Sequence, residues 1–144
     1  MECIFCKKSN IKNRIILEND YALAFLTNIP ITEGHTLIIP KRCVKRFEDL
    51  DQLEKNSIFD LMEKIKKALI KTYGVKGFNI AWNENEVAGQ NIPHFHIHIV
   101  PRKENDTGIH NYDPRLFLYR PGSREITNES DLEKNTIQIK NNLS

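Results

Sequence analysis

Between positions 93 and 102 the chain reads Pro93-His94-Phe95-His96-Ile97-His98-Ile99-Val100-Pro101-Arg102, so three of its five histidines recur at every second position among apolar residues. Successive side chains of a β-strand point to opposite faces, and this alternation predicts one. His94, His96 and His98 are expected on one face, with Phe95, Ile97 and Ile99 on the other, in a core. A purification tag would be consecutive and terminal, and a chance cluster would not interleave large apolar residues so regularly. The expectation is a half-buried strand whose polar face carries three imidazoles.

Three imidazoles on one surface suit either a metal site or nucleophilic and acid–base work near neutral pH. Alternation alone does not choose. The loop just upstream, Ala88-Gly89-Gln90-Asn91, shifts the balance, because a glycine lets backbone N–H groups approach an anion closely. A phosphate-sized pocket beside the histidines is therefore expected.

A length of 144 residues fits one domain with a substantial core. Lysine plus arginine, 21, against aspartate plus glutamate, 19, leaves a net charge of +2. No strong field draws such a chain to nucleic acid or to anionic lipid, so a phosphate ligand must be held locally. The start lacks a basic region followed by an apolar one, and no stretch approaches the ~20 apolar residues that span a bilayer. A cytoplasmic protein is the expectation. Three cysteines, an odd count, argue against a disulfide framework. Cys3 and Cys6 form a C-x-x-C pair, which reads equally as a redox pair, half a zinc site or two core thiols.

Taken in order, residues 14–18 read as a short strand, Asn19-Asp20 as a hairpin turn, and residues 21–26 as the second strand. A loop with Pro30 and Gly34 leads to a third strand over 35–39, stopped by Pro40. Asp49 or Asp51 caps a helix whose apolar positions Leu53, Phe59, Leu61, Met62, Ile65, Ala68 and Leu69 follow the 3.6-residue period to about Tyr73, with Gly74 ending it. Its lysines, among them Lys55, Lys64 and Lys71, read as a solvated face. A fourth strand over 77–83 and a loop over 84–91 return the chain to the histidine strand. The predicted class is α+β: a mainly antiparallel sheet of about five strands with one long helix packed on it. Beyond Arg102, residues 112–122 read as an irregular aromatic and proline segment. Ser130 with Glu133 resembles a capping box that opens a final helix over 131–143.

The run from Gly89 to Arg102 resembles the signature of the histidine triad (HIT) family of nucleotide hydrolases and transferases. A second block, Ala24-Phe25-Leu26 followed by Gly34-His35-Thr36-Leu37-Ile38-Ile39-Pro40-Lys41, is also similar to that family, and with the N-terminal Cys3-Ile4-Phe5-Cys6 the likeness covers residues 1–103. Residues 104–144 match nothing in it and are expected to be an extension packed on the domain or partly flexible.

The resemblance implies a HIT-like fold and a two-step reaction at a nucleotide α-phosphate. His96 would be the nucleophile, and His98 would stand against the phosphate or leaving-group oxygen. His35 would support them, or would simply be a core histidine with satisfied hydrogen bonds. Gly89, Gln90, Asn91 and Asn83 would cradle the phosphate. Asn91 stands where family members usually have serine or threonine, and Thr27 where they have aspartate or asparagine for the ribose, with Asn28 adjacent. Many microbial members hold a structural zinc. Carried over, its ligands would be Cys3, Cys6, Cys43 and His94, a closed tetrahedral set, although Cys43 also reads as a buried thiol and His94 as an orienter of His96. The implied substrates are purine nucleotides, dinucleoside polyphosphates or phosphoramidates, and the implied assembly is a homodimer. A nucleotide-binding regulatory protein with little turnover is the alternative. A catalytic metal centre on the histidines leaves the phosphate loop and the cysteines without a reason.

Overall fold

Hydrophobic alternation along the strands produces a five-stranded antiparallel sheet with two differently covered faces. The structure is a computed structural model and describes residues 3–108 and 125–143. Strands β1 (Ile15–Glu18), β2 (Ala22–Leu26), β3 (Thr36–Pro40), β4 (Gly77–Ala81) and β5 (Ile97–Arg102) pair in the order β1-β2-β3-β5-β4. Helix α1 (Gln52–Tyr73) and a second helix, α2 (Glu129–Lys140), complete the regular elements.

One face of the sheet presents Ala22, Ala24, Leu26, Ile38, Ile97 and Ile99, which pack with Ile58, Leu61, Ile65 and Leu69 of α1 and Leu132 and Ile139 of α2. The other presents Leu23, Phe25, Leu37 and Ile39, packed with Phe5 and Ile11 of the N-terminal segment. Leu37 pairs with His98 across β3 and β5, and paired residues share a face, so His98 projects toward the N-terminal segment, away from both helices.

Sequence expectations shift in three strands, β5, β3 and β4. The ladder begins at Ile97, so His94 and His96 precede it, in a segment where His94 N–H bonds Ile92 O at 2.8 Å and Phe95 N–H bonds Val44 O at 2.6 Å. Residues 97–101 are buried on both faces, so β5 is not a half-buried strand. Pro40 does not stop β3 but is its last residue, paired with Ala22. Its ring costs nothing there, since only an interior ladder position needs the missing N–H. Likewise β4 ends at Ala81, two residues short of the span read from the sequence.

Helix α1 starts and stops where its caps dictate. Asp51 accepts from Glu54 N–H, Glu54 accepts from Asp51 N–H, and Gly74 closes the other end in the left-handed conformation at φ 64°. Its buried stripe runs through Ile58, whereas Leu53 and Phe59 are exposed, because 3.6-residue spacing back from Leu61 and Ile65 selects Ile58. Helix α2 begins two residues before the expected start. Asn128, not Ser130, caps it, its side chain accepting from Asp131 N–H at 2.9 Å. It packs on α1 and β1, and Asn142 just beyond it bonds Thr72 of α1 at 3.1 Å. The aromatic segment over 112–122 lies outside the described residues.

Candidate active site and metal centre

A buried chain of hydrogen bonds fixes the protons on the histidines. Gly34, at φ 91°, turns the chain into β3 where a Cβ would meet Tyr73 at 2.8 Å, and this tight turn sets His35 just before the strand. Ile31 N–H donates to His35 Nδ1 at 3.0 Å, so that nitrogen carries a lone pair and the proton sits on His35 Nε2. His35 Nε2–H in turn donates to His98 Nδ1 at 2.9 Å. His98 therefore holds its own proton on Nε2. His35 is a buried histidine with both ring nitrogens hydrogen-bonded, and its bond to His98 sets which nitrogen of His98 is a donor.

His96 is oriented the opposite way. Its Nδ1–H donates to His94 O at 2.8 Å, which leaves the lone pair on Nε2. Burial lowers the pKa of His96, favouring the neutral ring that has such a lone pair. The His96 and His98 rings lie 5.1 Å apart between centroids, edge to face, and Phe5 packs its edge against His96 at 5.3 Å. A lone pair on one imidazole thus stands beside a donor on the next. Chemically, that pairing serves attack on an electrophile by one ring and hydrogen bonding to an oxygen that gains charge by the other.

Both rings line a cleft of about 510 Å³. Phe5, Ile11, Phe25 and Leu37 make it apolar, and Thr27 and Asn28 stand on its polar rim, as two of the residues singled out from the sequence. Thr27 Oγ1 accepts from Ile29 N–H at 3.3 Å, so its hydroxyl hydrogen is left to donate elsewhere.

The glycine loop is held by its own hydrogen bonds. Gly89 N–H is taken by Glu86 O and Gln90 N–H by Asn85 O. The Gln90 side chain, almost wholly buried, accepts from Asn85 N–H at 2.8 Å and donates to Lys45 O at 3.0 Å. Gln90 thus braces the loop against the segment after β3. Asn91 is exposed and donates to Gly89 O at 3.2 Å, while Asn83 is half-buried just after β4. None of these four residues lines the histidine cleft.

The four residues expected to hold metal do converge: the ligating atoms of Cys3, Cys6, Cys43 and His94 all lie within 4.8 Å of one another. Cys6 N–H bonds Cys3 O in a tight turn that aims both thiols the same way. His94 Nε2–H donates to Pro40 O at 2.7 Å, which turns the Nδ1 lone pair toward Cys3 Sγ at 3.3 Å and Cys6 Sγ at 3.5 Å. A tetrahedral ion with sulfur at ~2.3 Å and nitrogen at ~2.0 Å would separate them by roughly 3.5 Å. Desolvation, followed by the neighbouring Cys3 and Cys43, pushes the Cys6 thiol up to about 12. Crowded thiols of this kind resist deprotonation until a cation joins them, so the donor set fits a bound metal.

Sequence reasoning missed Phe5, Ile11, Arg14 and Glu129 as walls of the cleft. Only the apolar character of Phe5 and Ile11 could have suggested it. An arginine before a strand and a glutamate in a distant helix carry no local signal of meeting.

The HIT domain family profile matches residues 8–105 of this chain. An adenosine 5′-monophosphoramidase of Schizosaccharomyces pombe is 33% identical over 111 residues, 76% of this chain and 80% of its own length. The bis(5′-nucleosyl)-tetraphosphatase (asymmetrical) of the same yeast is 32% identical over 103 residues, covering 72% of this chain and 57% of its own. Among solved structures, a zinc-bound histidine triad family protein from Mycobacterium smegmatis superposes with a TM-score of 0.75 at 26% identity, over 99% of this chain and 93% of its own. With the family profile spanning most of its length and the antiparallel sheet shared with that neighbour, the chain belongs to the HIT domain family.

Proposed function

We propose that this protein hydrolyses nucleotides at the α-phosphorus through a nucleotidyl-histidine intermediate on His96. The observation that carries this reading is the paired orientation of the two rings, with the His96 Nε2 lone pair next to the His98 Nε2–H. His96 Nε2 attacks phosphorus and forms an N–P bond while the bond to the leaving group breaks; the neutral His98 keeps its Nε2 proton and donates a hydrogen bond to the departing oxygen, which leaves as an anion, whereas an amine leaving group takes its proton from water. Water then attacks the phosphoramidate and the N–P bond breaks, one water proton passing to solvent, which releases the nucleoside monophosphate and returns the His96 lone pair. His94 O holds the proton that stays on His96 Nδ1 and takes up part of the charge that develops on the ring.

The hydrolase names of the two yeast relatives support this class of substrate, namely dinucleoside polyphosphates or phosphoramidates of purine nucleotides. The metal that fits the cysteine cluster is zinc in a structural role, supported by three thiolates with one imidazole and by the zinc-bound neighbour. The set is closed by four protein ligands, and it ties the N-terminal turn, the end of β3 and the backbone beneath His96 together. A homodimer through α1 and the β4 edge, and a cytoplasmic location, complete the proposal. The latter two rest on exposed apolar residues along that edge and on three free cysteines.

The test is incubation with diadenosine polyphosphates and AMP-lysine-type amidates, followed by mass spectrometry of the quenched protein. An AMP adduct on His96 is expected, and His96→Ala is expected to lose turnover while keeping most of its nucleotide affinity. Wild-type rates from His96→Ala would remove the nucleophile assignment.

A further inference from the structure

Beyond the residues matched by the family profile, the first turn of α2 forms part of the histidine cleft. Thr127 N–H donates to Asn28 O at 2.8 Å and Asn128 caps the helix, so Glu129, its first residue, is held at the cleft wall. The Glu129 Oε1 atom lies 3.4 Å from Arg14 Nε, close enough to pair the charges but without a directed hydrogen bond.

Arg14 makes that position informative. It is more than nine-tenths buried and lines the same cleft. Its Nη1 donates to Leu26 O at 2.7 Å and its Nη2 to Asn10 O at 2.8 Å, whereas the buried Nε has no hydrogen-bond partner among the described residues. A buried cation with an unsatisfied donor is costly unless an anion stands by it, and Glu129 is that anion. The Glu129 side chain is nonetheless 58% exposed and lines the cleft while its Oε1 faces Arg14. A carboxylate beside a phosphate-binding centre repels the ligand unless the ligand brings donors to it.

We propose that Glu129 is a specificity-determining residue that accepts hydrogen bonds from the ribose hydroxyls of the nucleotide, with Arg14 as the positioning residue that aims it. This rests on the nucleotide reading above. Thr27 N–H bonds His35 O at 3.2 Å, which places the rim of Thr27, Asn28 and Glu129 next to the His35–His98 pair. In a nucleotide the sugar follows the phosphate directly. The apolar slot of Phe5, Ile11, Phe25 and Leu37 is left for the base, whose flat faces need burial rather than a carboxylate. Two vicinal hydroxyls are donors that one carboxylate accepts together.

Titration calorimetry of the full chain with AMP and with 2′,3′-dideoxy-AMP tests this, using Glu129→Ala and Glu129→Gln whose folding is checked by melting. Wild type is expected to bind AMP about ten-fold more tightly than the dideoxy form, the scale of one charge-assisted hydrogen bond. Glu129→Ala is expected to erase that preference by weakening AMP alone, and Glu129→Gln, whose amide oxygen still accepts, to fall between. Equal weakening of both ligands by Glu129→Ala, or no change in either, overturns the assignment: the first outcome would mean packing or base contact, the second a bystander. Wild-type protein that binds neither nucleotide overturns the nucleotide reading itself, and the Glu129 assignment with it.

Discussion

At the scale of single residues, the proton arrangement on His98 depends on a side chain that never reaches the cleft. His35 lies almost wholly inside the protein and hands its Nε2–H to His98 Nδ1. Removing it frees His98 to adopt the other tautomer, with its donor pointing inward. His35→Ala is expected to lower kcat by roughly 10–100-fold, the usual cost of losing an orienting partner, with little change in KM. His35→Gln, whose amide nitrogen occupies a similar place, is expected to recover part of that loss. Steady-state kinetics on all three proteins decide it, and an unchanged kcat in His35→Ala would mean that packing alone orients His98.

At the scale of elements, the start of α1 is joined to the segment after β3 by one carboxylate. Glu54 is buried, closes the capping box with Asp51, and accepts from Arg42 Nε at 3.1 Å and Nη2 at 2.7 Å. The Arg42 guanidinium holds the Glu54 pKa below its ordinary value, against the opposing effect of burial. A depressed carboxylate pKa means the unfolded chain binds the proton more readily. The stabilisation is therefore fully present above the unfolded value of ~4.3 and is lost as pH falls through the lower folded value. Glu54→Gln is expected to cost about 1–3 kcal/mol at neutral pH. Urea unfolding should show that difference shrinking below roughly pH 4, and a pH-independent difference would assign the effect to packing. Because Arg42 directly precedes Cys43, the same contact steadies the third cysteine of the metal cluster.

At the scale of the molecule, the metal cluster joins positions 91 residues apart in the chain. If zinc occupies it at a hundred-fold excess over Kd, binding adds about 2.7 kcal/mol. Chelation, or Cys43→Ser, is then expected to lower Tm by roughly 5–10 °C in a domain of this size. Activity is expected to fall only as the His94 carbonyl under His96 loosens. Elemental analysis finding no zinc in protein purified without chelator would refute the zinc assignment. The second expectation at this scale concerns β4, an edge strand whose Ile80, like Trp82 just after it, is 39% exposed. Pairing two such edges would extend the sheet and cover them. Sedimentation at micromolar concentration is expected to give a dimer, and Ile80→Lys a monomer; a wild-type monomer would refute it.

Much of this was legible in the chain itself, wherever the physics is local. Side-chain alternation put Ile97 and Ile99 opposite His98, and a cap at Asp49 or Asp51 together with Gly74 bounded α1, because strand and helix periods and terminal hydrogen bonds act within about four residues. The Cys3, Cys6, Cys43 and His94 grouping was also readable, though through resemblance rather than through periodicity. Tertiary structure alone decided the rest. That β5 starts only at Ile97, that Gln90 braces its own loop, that His35 assigns the His98 proton across 63 residues, and that Arg14 meets Glu129 all depend on backbone and side-chain partners brought together by the sheet and α2. A hydrogen bond between distant segments leaves no periodic trace in either one; it exists only once burial of the two sheet faces has fixed register and brought the partners within 3 or 4 Å.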